Sequence, residues 1–256
     1  MISKQIEKVK IGKSKVVIVF TSLDKLEITP NTYTEYNLFP KKSLTKKEID
    51  EIIERSELDK YFIYASNLLA SRNYSKLKIK EKLIKKGAND IQVNKVIDLL
   101  MKYQLLDDKE IIKEYLEYAD YKHYGFNRIK DDLFKKGITS FYLDKLKYDE
   151  ARELKQAKEL IKSLEKKYAK YNYSQLKRHC YEALLRYGFN GDIALSALND
   201  LSPIDEKKEK LLLKEDYEKA NRKYKDKFKG YELKEKITEY LLSKGYRYKD
   251  IQSIKE

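Results

Sequence analysis

Four times in this chain an apolar residue, a leucine and a glycine follow one another at steps of four. The sets are Ile79, Leu83 and Gly87; Ile129, Leu133 and Gly137; Cys180, Leu184 and Gly188; and Ile237, Leu241 and Gly245. Residues four apart lie on one face of a helix, so the first two members of each set face a common core. The glycine four residues on suits a left-handed C-cap, which ends the helix and turns the chain. Ala88, Ile138, Phe189 and Tyr246 follow the four glycines and are placed to close each cap against its helix. Half of the chain's eight glycines sit at this one position, at intervals of 50, 51 and 57 residues. Such register marks an internal repeat.

Each repeat reads as three helices. The first copy opens with "YFIYASNLLAS", where Phe62, Ala65, Leu68 and Leu69 share a face. Ser75 and Ser174 are placed as N-caps of the helices that carry the repeated phrase. A third helix supplies Val93, Val96, Ile97 and Leu100 in the first copy, and Phe141, Leu143 and Leu146 in the second. It supplies Ile193, Leu195 and Leu198 in the third, and Ile251 and Ile254 in the last. The repeats run over 61–105, 106–150, 151–203 and 204–256, with Pro203 at the last boundary. Three helices in about fifty residues have a thin core, so neighbours are expected to stack into an elongated, curved array. Length of this kind suits contact along a filament or polymer better than a single pocket.

Residues 1–60 differ. "KVKIGKSKVVIVF" and "KLEITPNTYTEYNLF" are rich in β-branched and aromatic residues, with Pro30 and Pro40 where strands end. They predict two to four short strands in an antiparallel hairpin sheet. "SLTKKEIDEIIERSE" then predicts a short linking helix with Ser43 or Thr45 as N-cap. The fold class is therefore mainly α, tandem three-helix repeats behind a small N-terminal β segment.

Charge points to the partner. The chain carries a net charge of +14, and Lys and Arg gain binding energy by displacing counterions from phosphates. Lysine outnumbers arginine 48 to 8, a bias that an AT-rich genome also produces. The excess is uneven: +2 for residues 1–60, then +6, −2, +4 and +4 for the four repeats. Most of the first repeat's share lies in "RNYSKLKIKEKLIKK". There Lys78, Lys82 and Lys85 form a stripe opposite Ile79 and Leu83, with Arg72 and Tyr74 at its start. The stripe could track phosphates or be an ordinary solvated face; Arg128 and Lys130, and Lys177 and Arg178, are further basic candidates on the later phrase helices.

Catalytic signatures are poor. His179 and Cys180 are adjacent on a helix and point about 100° apart, so they form no ready nucleophile–base pair. Cys180 occupies the apolar slot of its phrase and reads as a core residue, and His123 as a solvated or capping residue. No CxxC or HExxH pattern offers a metal site, no phosphate-cradling glycine loop offers a nucleotide site, and no cofactor is expected. Asp107 and Asp108 suit a helix N-terminus; Asp131 and Asp132 suit a solvated or ion-paired face. No run approaches the roughly 18 apolar residues of a membrane span, and "MISKQIEKVK" lacks signal-peptide character. With a single cysteine, these features predict a cytoplasmic protein that does not engage membranes.

At this point the second repeat's opening, "YQLLDDKEIIKEYLEYADYKHYGFNRIKDDLFKKGI", resembles the core signature of the RecX family, regulators of the RecA recombinase. The matching positions are Leu106, Asp107, Asp108, Tyr115, Arg128, Ile129, Leu133 and Gly137. Tyr64, Ala65, Leu68, Leu69, Arg72 and Ser75 are similar to the family's opening segment. The chain departs from the pattern at Lys109, Glu110 and Ile111, where an arginine and an aromatic residue often follow the Asp pair. The resemblance covers essentially residues 58–200. It implies a non-enzymatic regulator that binds along the groove of RecA–single-stranded-DNA filaments and damps ATP hydrolysis and strand exchange; the chain is expected to be a monomer. Direct contact with single-stranded DNA, and with double-stranded DNA as a second candidate, is also implied. The alternative is a stand-alone DNA-binding protein that uses the helix after Ser75 or Ser174 for recognition. An enzyme built on Asp107, Asp108 and His123 has no complete site in the sequence.

Overall fold

Buried Val16, Ile18 and Phe20 alternate with half-exposed Val17 and Val19, the period-two pattern of a strand with one face on a core. In the computed structural model, which describes residues 3–254, this strand is β2 (Val16–Phe20). It pairs antiparallel with β1 (Ser3–Ile11) and with β3 (Lys25–Ile28), and β4 (Ser43–Thr45) adds to the other edge of β1. Ile6, Val16, Ile18, Phe20, Ile28 and Leu44 turn one face of the sheet toward Leu38 and Ile52.

Two local expectations fail here. The stretch read as strand after Thr29 is a helix, α1 (Pro30–Glu35). Thr29 caps it, accepting from the Thr32 amide at 3.3 Å, and Pro30 sits at the first helical position, where its missing N–H costs nothing. The expected linking helix and the first repeat helix are one element, the 26-residue α2 (Lys46–Ser71). Thr45 starts it with a reciprocal capping box to Glu48, and no glycine or proline lies within it to break it. Its buried Asp59 accepts from the Thr29 and Thr32 hydroxyls, each at 2.9 Å, and from Arg55 at 2.6 Å. That network ties α1 to α2.

The remaining helices are α3 (Lys76–Lys85), α4 (Asp90–Lys102), α5 (Asp108–Tyr121), α6 (Phe126–Lys135), α7 (Ser140–Leu143), α8 (Glu150–Lys167), α9 (Tyr173–Arg186), α10 (Gly191–Ala197), α11 (Glu206–Tyr224), α12 (Gly230–Ser243) and α13 (Tyr248–Gln252). The protein is thus mostly helical with a small N-terminal antiparallel sheet. The described residues form two compact units: one of residues up to Glu114 with Phe134–Tyr142, the other of Tyr115–Leu133 with residues from Leu143 onward. In the first, Ala65 of α2 packs with Ile79, Leu83, Val93, Val96, Ile97 and Leu100. In the second, α8, α9 and α10 enclose a core around Leu160, Ile161, Cys180, Leu184 and Phe189, and α11, α12 and α13 enclose another around Leu213, Ile237, Leu241 and Ile251. Phe141 and Leu195, expected inside, are 61% and 55% exposed. Each lies two residues from a buried position of its own helix, Leu143 on α7 and Ile193 on α10, and residues two apart on a helix point about 200° apart.

The phrase glycines adopt the expected left-handed turn, with φ of 102°, 85°, 94° and 88° at Gly87, Gly137, Gly188 and Gly245. The next amide returns to the helix: Ala88 to Leu83, Phe189 to Leu184 and Tyr246 to Leu241, at 3.1–3.2 Å. The structure adds a second role. From the second copy on, each glycine end docks on the N-terminus of the preceding phrase helix. Ser75 Oγ donates to the Lys136 carbonyl at 2.7 Å, the Gly125 amide to Tyr187 at 2.8 Å, and Asn172 Nδ2 to Lys244 at 3.0 Å. An acid completes each junction by accepting from the first helical amide: Asp108 from Lys76 at 2.8 Å, Glu153 from Phe126 at 3.0 Å and Glu209 from Tyr173 at 3.0 Å. Burial holds all three carboxyls above their ordinary range, partly offset by the amide each receives. Asn172, not Ser174, is the N-cap of α9; Ser174 lies two residues inside the helix.

Candidate functional site

The first of these junctions shapes the strongest candidate site. Ser75 caps α3, accepting from the Lys78 amide at 3.3 Å while it donates to Lys136. Gly137 permits this approach, since a Cβ there would stand 2.5 Å from Ser75 Oγ. The end of α6 is thereby brought beside the start of α3. A groove of about 570 Å³ results, with Arg72, Asn73, Tyr74 and Ser75 at its head, Lys78, Glu81, Lys82 and Lys85 along α3, and Ile111, Lys135 and Lys136 opposite.

Six cations line this groove against one acid. Glu81 pairs with Lys78 at 2.9 Å, which leaves the lining strongly positive. The Tyr74 ring lies 4.7 Å from the Lys82 ammonium and 5.7 Å from the Arg72 guanidinium, so cation–π attraction gathers both charges at the groove head. Asn73 is held by Glu114 at 2.9 Å. Such a lining can neutralise and hydrogen-bond a polyanion; it contains no nucleophile beside a base.

The sequence-predicted residues therefore divide. Arg72, Tyr74, Lys78, Lys82 and Lys85 come together in the groove. Arg128 belongs to the second unit, where its guanidinium lies 3.7 Å from the centre of the Tyr124 ring and 3.5 Å from Asp132. Asp132 also accepts the Tyr115 hydroxyl at 2.5 Å, so Arg128 is engaged within the protein. Lys130 lies 5.8 Å from the Phe126 ring. Lys177 and Arg178 are exposed on α9, with Arg178 3.9 Å from Glu182.

None of the core-signature residues lines the groove, whereas Arg72 and Ser75 of the opening segment do. Asp107 accepts from the Lys109 amide at 2.8 Å, Asp108 holds the start of α3, and Leu106, Tyr115, Ile129 and Leu133 are buried. Sequence reasoning missed Lys135 and Lys136 as lining residues; their only signal was their place just before the second phrase glycine. Cys180 is wholly buried, and burial pushes its thiol up to about 11. His123 has a φ of 53° in its loop and turns Nδ1 to Gln156 and, at 3.6 Å, to Glu159. Among the described residues, no cluster of His, Cys, Asp and Glu could hold a metal ion, and no helix is long and apolar enough to cross a membrane.

No protein-family model matches the chain. It is similar to two curated proteins named Regulatory protein RecX. The protein of Lactococcus lactis subsp. lactis (strain IL1403) is 27% identical over 241 residues, covering 91% of this chain and 89% of the relative. That of Streptococcus gordonii (strain Challis) is 28% identical over 260 residues, 98% of each. A crystal structure of regulatory protein RecX shares the fold with a TM-score of 0.61 at 18% identity, covering 77% of this chain and 99% of that one. RecX from Lactobacillus salivarius gives a TM-score of 0.50 at 22% identity, over 56% and 96%. The family resemblance expected from the motifs holds, as does the mainly helical fold with its N-terminal antiparallel sheet.

Proposed function

We propose that this chain, which is similar to curated proteins named Regulatory protein RecX, is a regulator of RecA and carries no catalysis of its own. In this reading it binds RecA–single-stranded-DNA filaments lengthwise and lowers their ATP hydrolysis and strand exchange. It acts as a monomer in the cytoplasm. RecA enters through the family resemblance; the observation on this chain that supports the reading is the basic groove headed by Arg72 and Tyr74. A filament of protein and DNA is long and anionic, and four similar repeats (61–105, 106–150, 151–203 and 204–256) suit a partner with a repeating surface.

The test is the single-stranded-DNA-dependent ATPase of RecA from the same organism, titrated with this chain. Turnover is expected to fall as the chain is added, and the chain alone to hydrolyse no ATP. An unchanged RecA rate under conditions where binding is saturated sinks the proposal, as does ATP turnover by the chain itself. Equal DNA binding with and without RecA, with RecA's rate untouched, identifies the stand-alone DNA-binding alternative instead.

A further inference from the structure

The repeated phrase has a solvent side as well as a core side. Directly after its buried leucine comes a second apolar residue in all four copies: Ile84, Phe134, Leu185 and Leu242. These four are between 42% and 69% exposed. Three residues before each stands an acid, namely Glu81, Asp131, Glu182 and Glu239, and residues three apart are neighbours on a helix surface. The core accounts for the buried positions of the phrase, and the left-handed cap for its glycine. Neither requires an apolar side chain where so much of it meets solvent. Glu81 and Glu239 pair with Lys78 and Lys236, each at 2.9 Å, and exposed pairs of this kind contribute little to stability. An acid beside an exposed apolar residue thus recurs in four copies without a structural need for it.

In the last repeat this side forms a groove of about 580 Å³ between α12 and α13. Leu242, Tyr231 and Tyr248 line it, and its charged members are Glu235 and Glu239 against one cation, Lys234. Tyr231 and Tyr248 are 81% and 60% exposed. The balance is opposite to that of the groove at the start of α3: acids outnumber cations here, in a chain whose net charge is +14. We infer that the groove between α12 and α13 docks a segment of a protein partner that offers an apolar side chain beside a Lys or Arg. The two tyrosines and the leucine are the kind of anchors that carry protein interfaces. The carboxylates complement a cation on the partner and repel a phosphate backbone. A second copy of this chain, itself at +14, is opposed by repulsion between like charges. This inference rests on the filament-binding reading: the groove meets the protein of the filament and not its DNA.

The experiment uses the full chain in two assays: co-sedimentation with RecA filaments formed on polythymidylate, and anisotropy of a labelled oligothymidylate without RecA. Leu242→Ser combined with Tyr248→Ser is expected to weaken filament binding about tenfold, the size of an anchor's loss, and to leave oligonucleotide binding unchanged. Tyr231→Ala, at a side chain that is almost fully exposed, spares the fold and is expected to weaken filament binding about threefold. Glu235→Lys, which installs the charge that Arg178 gives the third repeat, is expected to weaken filament binding as well. Tighter binding by Glu235→Lys in both assays would assign the groove to nucleic acid and overturn the inference. Filament binding by the double variant and by Tyr231→Ala that matches the parent also overturns it. So does a dimer of the parent in sedimentation velocity that the double variant lacks, which assigns the groove to a second copy. If these variants bind as the parent does while the parent lowers RecA ATPase, this inference fails and the regulatory reading stands. A parent that neither binds filaments nor changes their ATPase ends both.

Discussion

Gly87 and Gly188 share a backbone conformation but not a neighbourhood, and the pair separates two costs. At Gly87, with φ of 102°, the nearest atom to an added Cβ is the Tyr61 hydroxyl at 3.7 Å. At Gly188 an added Cβ would overlap the Arg128 Cβ and stand 2.5 Å from its backbone nitrogen. Gly87→Ala should therefore lose only the left-handed preference, about 1–2 kcal/mol. Gly188→Ala adds overpacking of a backbone that cannot step aside, for a total of roughly 3–5 kcal/mol. Urea unfolding of both variants checks this. Equal losses would show that the close approach at Gly188 relaxes freely.

At the scale of elements, the acid on the first amide of α3, α6 and α9 is the feature most open to measurement. Glu153 is 1% exposed, accepts from the Phe126 amide, and pairs with Arg152 at 3.0 Å. Glu153→Ala should cost about 1–3 kcal/mol, because a buried donor loses its partner. Glu153→Gln keeps an acceptor and should cost less. The pH dependence has a definite sign. Burial raises the native carboxyl above its ordinary 4.5, so its titration favours the fold in acid. That contribution is lost as pH rises through the raised native value. Glu153→Gln cannot titrate, and its stability relative to the parent should improve from pH 4 to pH 7. Melting curves in which the parent instead gains on the Gln variant over that range would mean that Arg152 outweighs burial.

For the whole molecule the governing quantity is the charge of +14. Like charges on a folded chain repel more than on an expanded one, so excess charge works against the compact state. Most ion pairs that offset it are exposed, such as Lys47 with Glu51 and Lys113 with Glu110, each at 3.9 Å, and such pairs contribute little. Added monovalent salt screens the repulsion, with a Debye length near 10 Å at 0.1 M. The melting temperature of the protein without partner should therefore rise between 0.05 and 0.5 M sodium chloride, on the order of a few degrees. A fall over that range would place the balance with the ion pairs.

Local periodicity was enough to place the phrase helices, their glycine ends and the buried Ile79, Leu83, Ile129, Leu133, Cys180 and Leu184, because a helix face and a left-handed cap are set by residues within one turn of each other. The motifs also carried the family resemblance, and composition carried the expectation of an anionic partner. Local sequence was less reliable where two short-range signals competed, as after Thr29, where β-branched residues suggested strand and an N-cap followed by proline made a helix. It was silent wherever a partner lies tens of residues away. Nothing near Asp108 in sequence says that it holds the amide of Lys76, or that Lys135 and Lys136 face the stripe on α3. Nor does the spacing of Arg128, Asp132 and Tyr187 say that they gather around one guanidinium. Those pairings depend on which helix ends the folded chain brings together, and only the tertiary structure decides that.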